Sequence, residues 1–237
     1  KFVCWWKNEI LKNTQYHIGL HKGEGGTNAV LVETPAQVEQ IAASFKNTKA
    51  LVDHREYFSV LIDVSSTQFL AISMGIGTPP IAIGMEELSI IGIDRFLYIG
   101  SCKPLTNKMK DGDFLLVKAA IKEDGTSREY LPNIIPAVAD VKFLNKVRGT
   151  LQKAGIPYHI GISATIDLDP YHLPAQFPLQ QEYQKQIEVF RNGNAYAIDR
   201  AAAGVYAVAT KVHKPACCIL YARAPEFTLP IELIEHL

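Results

Sequence analysis

The stretch FLYIGSCKPL, residues 96–105, contains residues whose types and spacing could do chemistry. Apolar residues lead into Gly100-Ser101-Cys102, a pattern that predicts a strand followed by a tight turn. Backbone N–H groups on such a turn, together with the Ser101 hydroxyl, would form a concavity for an anion. The neighbours do not suit that use. Lys103 and Pro104 stand where a small residue is wanted, and Tyr98 stands where an arginine would neutralise the guest. Metal chemistry is not indicated. Cys4, Cys102, Cys217 and Cys218 show no CxxC spacing and no histidine at ligand distance, so neither a metal nor a cofactor is expected. The adjacent Cys217 and Cys218 lie in an apolar run, which suits buried free thiols and a reducing, cytoplasmic setting.

Positioning these residues requires a scaffold, and the hydrophobic pattern supplies one. NAVLV (28–32) predicts a buried strand, and FSVLIDVSSTQFLAIS (58–73) predicts a hairpin. In GIGTPPIAIGMEELSIIG, Thr78 suits an N-cap, Pro79 suits the first helical position, and Ile81, Met85, Leu88 and Ile91 form a helical stripe. RFLYIG and DFLLVKAAI follow as strands. AVADVKFLNKVRGTLQKAG reads as an amphipathic helix ended by Gly155, and YHIGISA as a further strand. PLQQEYQKQIEVFRN reads as helix, AYAI as a strand end, DRAAAGVYAVATKV as a buried helix and ACCILYAR as the last strand. Strands alternating with helices imply one α/β domain over residues 1–237, with 1–14 as an N-terminal extension. Its sheet is expected to be mixed, largely parallel and twisted, with helices on both faces. Ligands of such sheets gather beyond the strand ends. The places to search are therefore Glu33, Ser73 to Thr78, Tyr98 to Cys102, Ser163 to Asp167, Asp199, and Tyr221 to Arg223.

Bulk composition narrows the partners. The 237 residues are 48% apolar and 20% charged, with 24 basic residues against 24 acidic ones. A balanced charge argues against a nucleic-acid partner, whose grip depends on excess Lys and Arg. No run approaches the roughly 20 apolar residues of a membrane span. The start, KFVCWWKNEILKN, is too short and polar for a signal peptide.

The order of SMGIGTPPIAIGMEEL, RFLYIGSCKPL, KMKDGDFLLVKAAIKEDGTSREYLP and PAVAD, with YHIGLHKGE and VDHREY upstream, resembles the nucleoside phosphorylase family, its uridine phosphorylase branch most closely. The likeness runs over roughly residues 15 to 230. It implies a mixed, distorted sheet, a dimer or a hexamer of dimers, and phosphate as co-substrate if the chain is active. Phosphorolysis demands a phosphate clamp, a grip on the ribose hydroxyls and stabilisation of the departing base.

Matched to the resemblance, the phosphate site is stripped of cations. Glu33 and Gln37 replace a glycine and an arginine, and Tyr98 replaces a second arginine. Ser101 keeps its hydroxyl, and Arg55 keeps the arginine that relatives lend across the dimer. At the ribose site Ile198 and Asp199 replace a Met-Glu pair, Thr78 lies where relatives have a serine or a neighbour of one, and His17 matches a histidine lent by the neighbouring subunit. At the base site the counterparts are His172, with Pro174, and Arg223. Read without the family frame, Ser101 is a turn residue, Asp199 an N-cap, Arg55 a surface ion-pair partner and His17 structural. Lesions at all three subsites imply a non-catalytic homologue that binds a nucleoside-like ligand or serves as a partner subunit, either as a homodimer or beside an intact paralogue. The alternatives are an active phosphorylase with a rebuilt phosphate site, using Lys103, or a hydrolase-like relative.

Overall fold

A computed structural model describes residues 14–64, 67–168 and 177–222. The short apolar run NAVLV forms β1 (Asn28–Val32), fully covered except at its first residue. Thr34 closes a capping box with Gln37 and starts α1 (Pro35–Ala43). The β2 (Asn47–His54) and β3 (Tyr57–Val64) strands form one hairpin, and β3 pairs on with β4 (Thr67–Ser73). The predicted 58–73 hairpin is therefore present, and β2 adds an exposed edge strand whose polar sequence hid it.

The helix α2 (Thr78–Ile91) buries Ile81, Met85, Leu88 and Ile91, the stripe read from the sequence. Its N-cap is Gly77 rather than Thr78. Thr78 is already helical and fully buried, and its hydroxyl donates to the buried Asp124 carboxylate at 2.7 Å. The expected cap is thus corrected. The hydroxyl is drawn sideways by a buried acceptor instead of back to its own helix.

Next come β5 (Arg95–Pro104), β6 (Phe114–Glu123), α3 (Gly125–Tyr130), the two-residue β7 (Ala137–Val138) and α4 (Val141–Lys153). The chain continues through β8 (Tyr158–Ile166), α5 (Gln180–Asn192), β9 (Ala195–Asp199), α6 (Ala202–Lys211) and β10 (Ala216–Ala222). A 10-stranded sheet runs β10-β6-β8-β9-β5-β1-β4-β3-β2, with β7 on β6 and a further pairing of β10 with β5. That extra pairing closes β5, β10, β6, β8 and β9 into a ring. Strand pairs are parallel at β1–β4, β1–β5, β5–β10, β6–β8 and β8–β9, and antiparallel at the others. The sheet is mixed as expected, with a larger antiparallel share. One face packs a core with α2 and α6, the other a core with α1 and α4.

The Gly100–Cys102 turn read from the sequence is absent. β5 runs straight through it, pairing Gly100, Ser101 and Cys102 with Leu220, Tyr221 and Ala222 of β10 before Lys103 and Pro104 reach β9. The glycine has another cause. Residues 98 and 100 share one strand face, and a Cβ on Gly100 would fall 2.5 Å from both Cε1 and the hydroxyl of the Tyr98 ring. Tyr98 is 2% exposed and has nowhere to retreat. Gly100→Ala is therefore expected to lower stability by about 1–3 kcal/mol, the usual cost of overpacking. Urea unfolding will show the loss, and it should shrink when Tyr98→Ala is combined with it, because the two sites share one clash.

Candidate functional site

The parallel pairing of β1 with β5 sets Val32 beside Ile99, so Glu33, just past the end of β1, emerges beside Gly100 and Ser101 of β5. There the Ser101 N–H and hydroxyl both donate to Glu33 Oε1, at 3.1 and 2.7 Å. The anion in this cradle is the protein's own carboxylate. Tyr221, at the end of β10, donates to Glu33 Oε2 at 3.3 Å and accepts from Gln37 Nε2 at 3.0 Å. Gln37 Oε1 in turn accepts from the backbone N–H groups of Glu33 and Thr34, both at 2.9 Å. Gln37 thus caps α1 with one end of its amide and steadies Tyr221 with the other. Hydrogen bonds to a charged group are worth roughly 1.5–3 kcal/mol each, so the carboxylate is held firmly.

Tyr98, three residues before Ser101 on β5, is buried. Burial pushes its phenol well above the usual range, and the Glu33 and Asp199 carboxylates push it further. Cys102 is likewise raised by burial and then by Asp199 and Glu33. Both groups stay neutral and both feel the same two carboxylates.

Asp199 lies at the end of β9 and is 3% exposed. Its Oδ1 accepts from the N–H groups of Ala201 and Ala202, each at 2.7 Å, and from the Thr165 hydroxyl at 3.0 Å. Thr165 Oγ1 also accepts from Ala203 N–H at 2.8 Å. The carboxylate therefore serves the start of α6, but from two residues before the cap: the N-cap is Ala201, not Asp199 as the sequence suggested. Burial raises its pKa, while the Ser163 and Thr165 hydroxyls and the two N–H groups pull it back. Ile198, its neighbour, is buried opposite Lys103.

The remaining candidates gather elsewhere. Arg55 sits at the β2–β3 turn with φ 59°, exposed, its guanidinium 5.4 Å from the Tyr16 ring centre and 3.4 Å from the Tyr16 hydroxyl. His17 Nδ1 lies 2.7 Å from Glu87 Oε1, and the N–H groups of His17 and Ile18 donate to the same carboxylate. His54 Nδ1 bonds the His17 carbonyl at 2.8 Å. Arg55 and His17 thus share one corner through Tyr16 and His54, and none of their contacts involves Glu33 or Ser101 of the same chain. Thr78 belongs to the α2–α6 packing, where a Cβ on Gly204 would come 2.6 Å from its methyl. His172, Pro174 and Arg223 lie outside the described residues.

The structure therefore brings Ser101, Glu33, Gln37 and Tyr98 together, and adds Tyr221. The sequence marked Tyr221 only as a strand end. Its role depends on contacts with residues more than 180 positions away, which no local pattern carries. Among the described residues no group of three or more His, Cys, Asp or Glu could hold a metal ion, and no helix is long and apolar enough to cross a membrane.

Comparison with known proteins gives the arrangement a context. A family profile described as Phosphorylase superfamily matches residues 27–226. Uridine phosphorylase of Thermococcus kodakarensis is 32% identical over 167 residues, 70% of this chain and 60% of that enzyme. The matched stretch thus spans less than two thirds of that relative's length. Guanosine phosphorylase of Halorubrum lacusprofundi is 29% identical over 197 residues, covering 83% of this chain and 78% of the relative. The solved structure of purine nucleoside phosphorylase from Toxoplasma gondii in complex with immucillin-H superposes with a TM-score of 0.80 at 26% identity, covering 94% of this chain and 90% of the other.

Two substitutions test the site. Glu33→Ala leaves the Ser101 donors unfilled, so inorganic phosphate is expected to raise the variant's melting temperature in scanning fluorimetry while leaving the native protein unmoved. Asp199→Asn tests the buried carboxylate. Its raised pKa means the folded state holds the proton more tightly than the unfolded state, so this group's contribution falls as pH rises above the ordinary aspartate range. The asparagine variant should lack that decline when urea midpoints are compared across acid to neutral pH.

Proposed function

The chain belongs to the nucleoside phosphorylase family, on its uridine phosphorylase branch, and we propose that it is a member that does not perform phosphorolysis, keeping the cleft for a nucleoside-like ligand. One observation carries this reading: the Glu33 carboxylate occupies the Ser101 cradle. A phosphate would have to displace it and then sit beside it. Two like unit charges 4 Å apart repel by about 4 kcal/mol at an effective dielectric of 20, and a dianion roughly doubles that. At about 1.4 kcal/mol per tenfold change, several orders of magnitude in phosphate affinity are at stake. Tyr98 supports the same reading, since a buried phenol cannot supply the bidentate cationic grip of an arginine. So does Asp199, whose Oδ1 is engaged by the start of α6.

A role as partner subunit is favoured by a second observation. Arg55 and His17, the two residues that the family resemblance assigns to a neighbouring subunit's site, are held in one partly exposed corner although the resident phosphate cradle is filled. On this reading the protein forms a dimer with itself or with an intact relative. A cytoplasmic setting belongs to the same proposal and is supported by the buried free thiols of Cys102, Cys217 and Cys218.

The test is phosphate-dependent release of free base from uridine and from inosine, with the heat-killed protein as baseline. No release above that baseline is expected. Turnover that rises with phosphate would contradict the proposal. Repeating the assay with an intact relative mixed in separates the two roles, because Arg55→Ala should lower the mixture's activity only if this chain completes the other's site.

A further inference from the structure

Away from the Ser101 cradle, a pocket of about 410 Å³ separates the first turns of α5 from α3 and the end of β6. Its lining is Glu123, Arg128, Leu179, Glu182, Tyr183 and Gln186. Farther along α5, Ile187 and Phe190 pack against Ala164, Ile166 and Ile198. Residues three and four apart share one face of a helix, so the face that is apolar at Ile187 and Phe190 turns polar where the pocket opens. Three contacts hold the walls in place. Arg128 Nε and Nη2 donate to the carbonyls of Asp124 and Glu123, at 3.0 and 3.1 Å, which turns the guanidinium toward the backbone. Gln186 Nε2 donates to Glu123 Oε2 at 2.9 Å, and Arg128 Nη1 lies 3.6 Å from the same oxygen. The Tyr183 ring rests against Phe177, with 6.1 Å between ring centres. Among the described residues, Glu123 Oε1, the Glu182 carboxylate and the Tyr183 hydroxyl take part in no hydrogen bond or ion pair.

We propose that this pocket binds an organic ammonium ion with an aliphatic body. Glu182 and Glu123 Oε1 hold its charge, the Tyr183 ring lies under the cation, and Leu179 covers the methylenes. An ammonium makes charge-assisted hydrogen bonds to carboxylates, about twice as strong as neutral ones, and is attracted to the face of a tyrosine ring. Other guests suit the lining less well. An anion would meet two carboxylates, while the one guanidinium is already turned to backbone carbonyls. A wholly apolar guest would desolvate Glu182 and the phenol without offering either a partner. The pocket shares no lining residue with the cradle of Glu33, Ser101 and Tyr221, so the inference stands apart from the reading given to that cradle.

The matched probes are pentylammonium and 1-pentanol, which differ in charge and little in size. Ligand-observed NMR titration of the full chain should show pentylammonium binding roughly tenfold more tightly than the alcohol, with the gap narrowing as salt is added. Glu182→Gln keeps the shape of the side chain and should weaken pentylammonium binding roughly tenfold. Tyr183→Leu keeps an apolar surface and should weaken it severalfold. Glu39→Gln, at an exposed acid on α1, should change nothing and controls for general surface charge. Equal binding of the two probes, binding of neither, or pentylammonium binding that Glu182→Gln leaves unchanged would each overturn the inference. An equal loss in Glu39→Gln would do so as well, since the cation would then be responding to net charge alone.

Discussion

Two donors of Ser101, one from the backbone and one from the side chain, converge on one oxygen of Glu33. That contact depends on the parallel alignment of β1 and β5, which brings residues 33 and 101 to the same edge of the sheet although they are 68 positions apart. Much of the surrounding structure holds the contact in place. Gln37 ties the start of α1 to the Glu33 backbone, and Tyr221 ties the end of β10 to the Glu33 side chain. The two Ser101 donors are satisfied from within the chain, and on the proposed reading the hydrogen bonds that would favour an external anion favour the unliganded protein instead.

The rest of the cleft is consistent with that electrostatic choice. Position 98 feels both the Glu33 and the Asp199 carboxylates, yet it holds no cation. The tyrosine found there fills the volume without charge and requires Gly100 beneath it. Asp199 is drawn into the fold by the N–H groups that open α6, which leaves it a buried structural acid. By contrast, the corner of Tyr16, His17, His54 and Arg55 keeps its polar side chains ordered by Glu87 and by stacking. The two regions differ in what they face: one is closed on itself, the other looks outward.

Much of this fold was legible in the sequence because its periodicities are strong. The 58–73 hairpin and the Ile81–Met85–Leu88–Ile91 stripe follow from local pattern alone. The errors came where a distant group overrides a local rule. Thr78 looks like a cap until the buried Asp124 draws its hydroxyl away. Gly100 looks like a turn until Tyr98 is seen lying over it. The exposed edge strand β2 lacks the apolar alternation that would reveal it. The site was legible to the extent that Glu33, Gln37, Tyr98 and Ser101 could be singled out by family resemblance. Which atom of Glu33 meets which donor, and the part played by Tyr221, required the sheet to be assembled.

The most direct measurement is an experimental structure of the native protein from crystals soaked in concentrated phosphate. The account predicts density for the Glu33 carboxylate on the Ser101 N–H and hydroxyl, with no phosphate in the cradle. A phosphate bound to those two donors, with Glu33 swung aside, would contradict it.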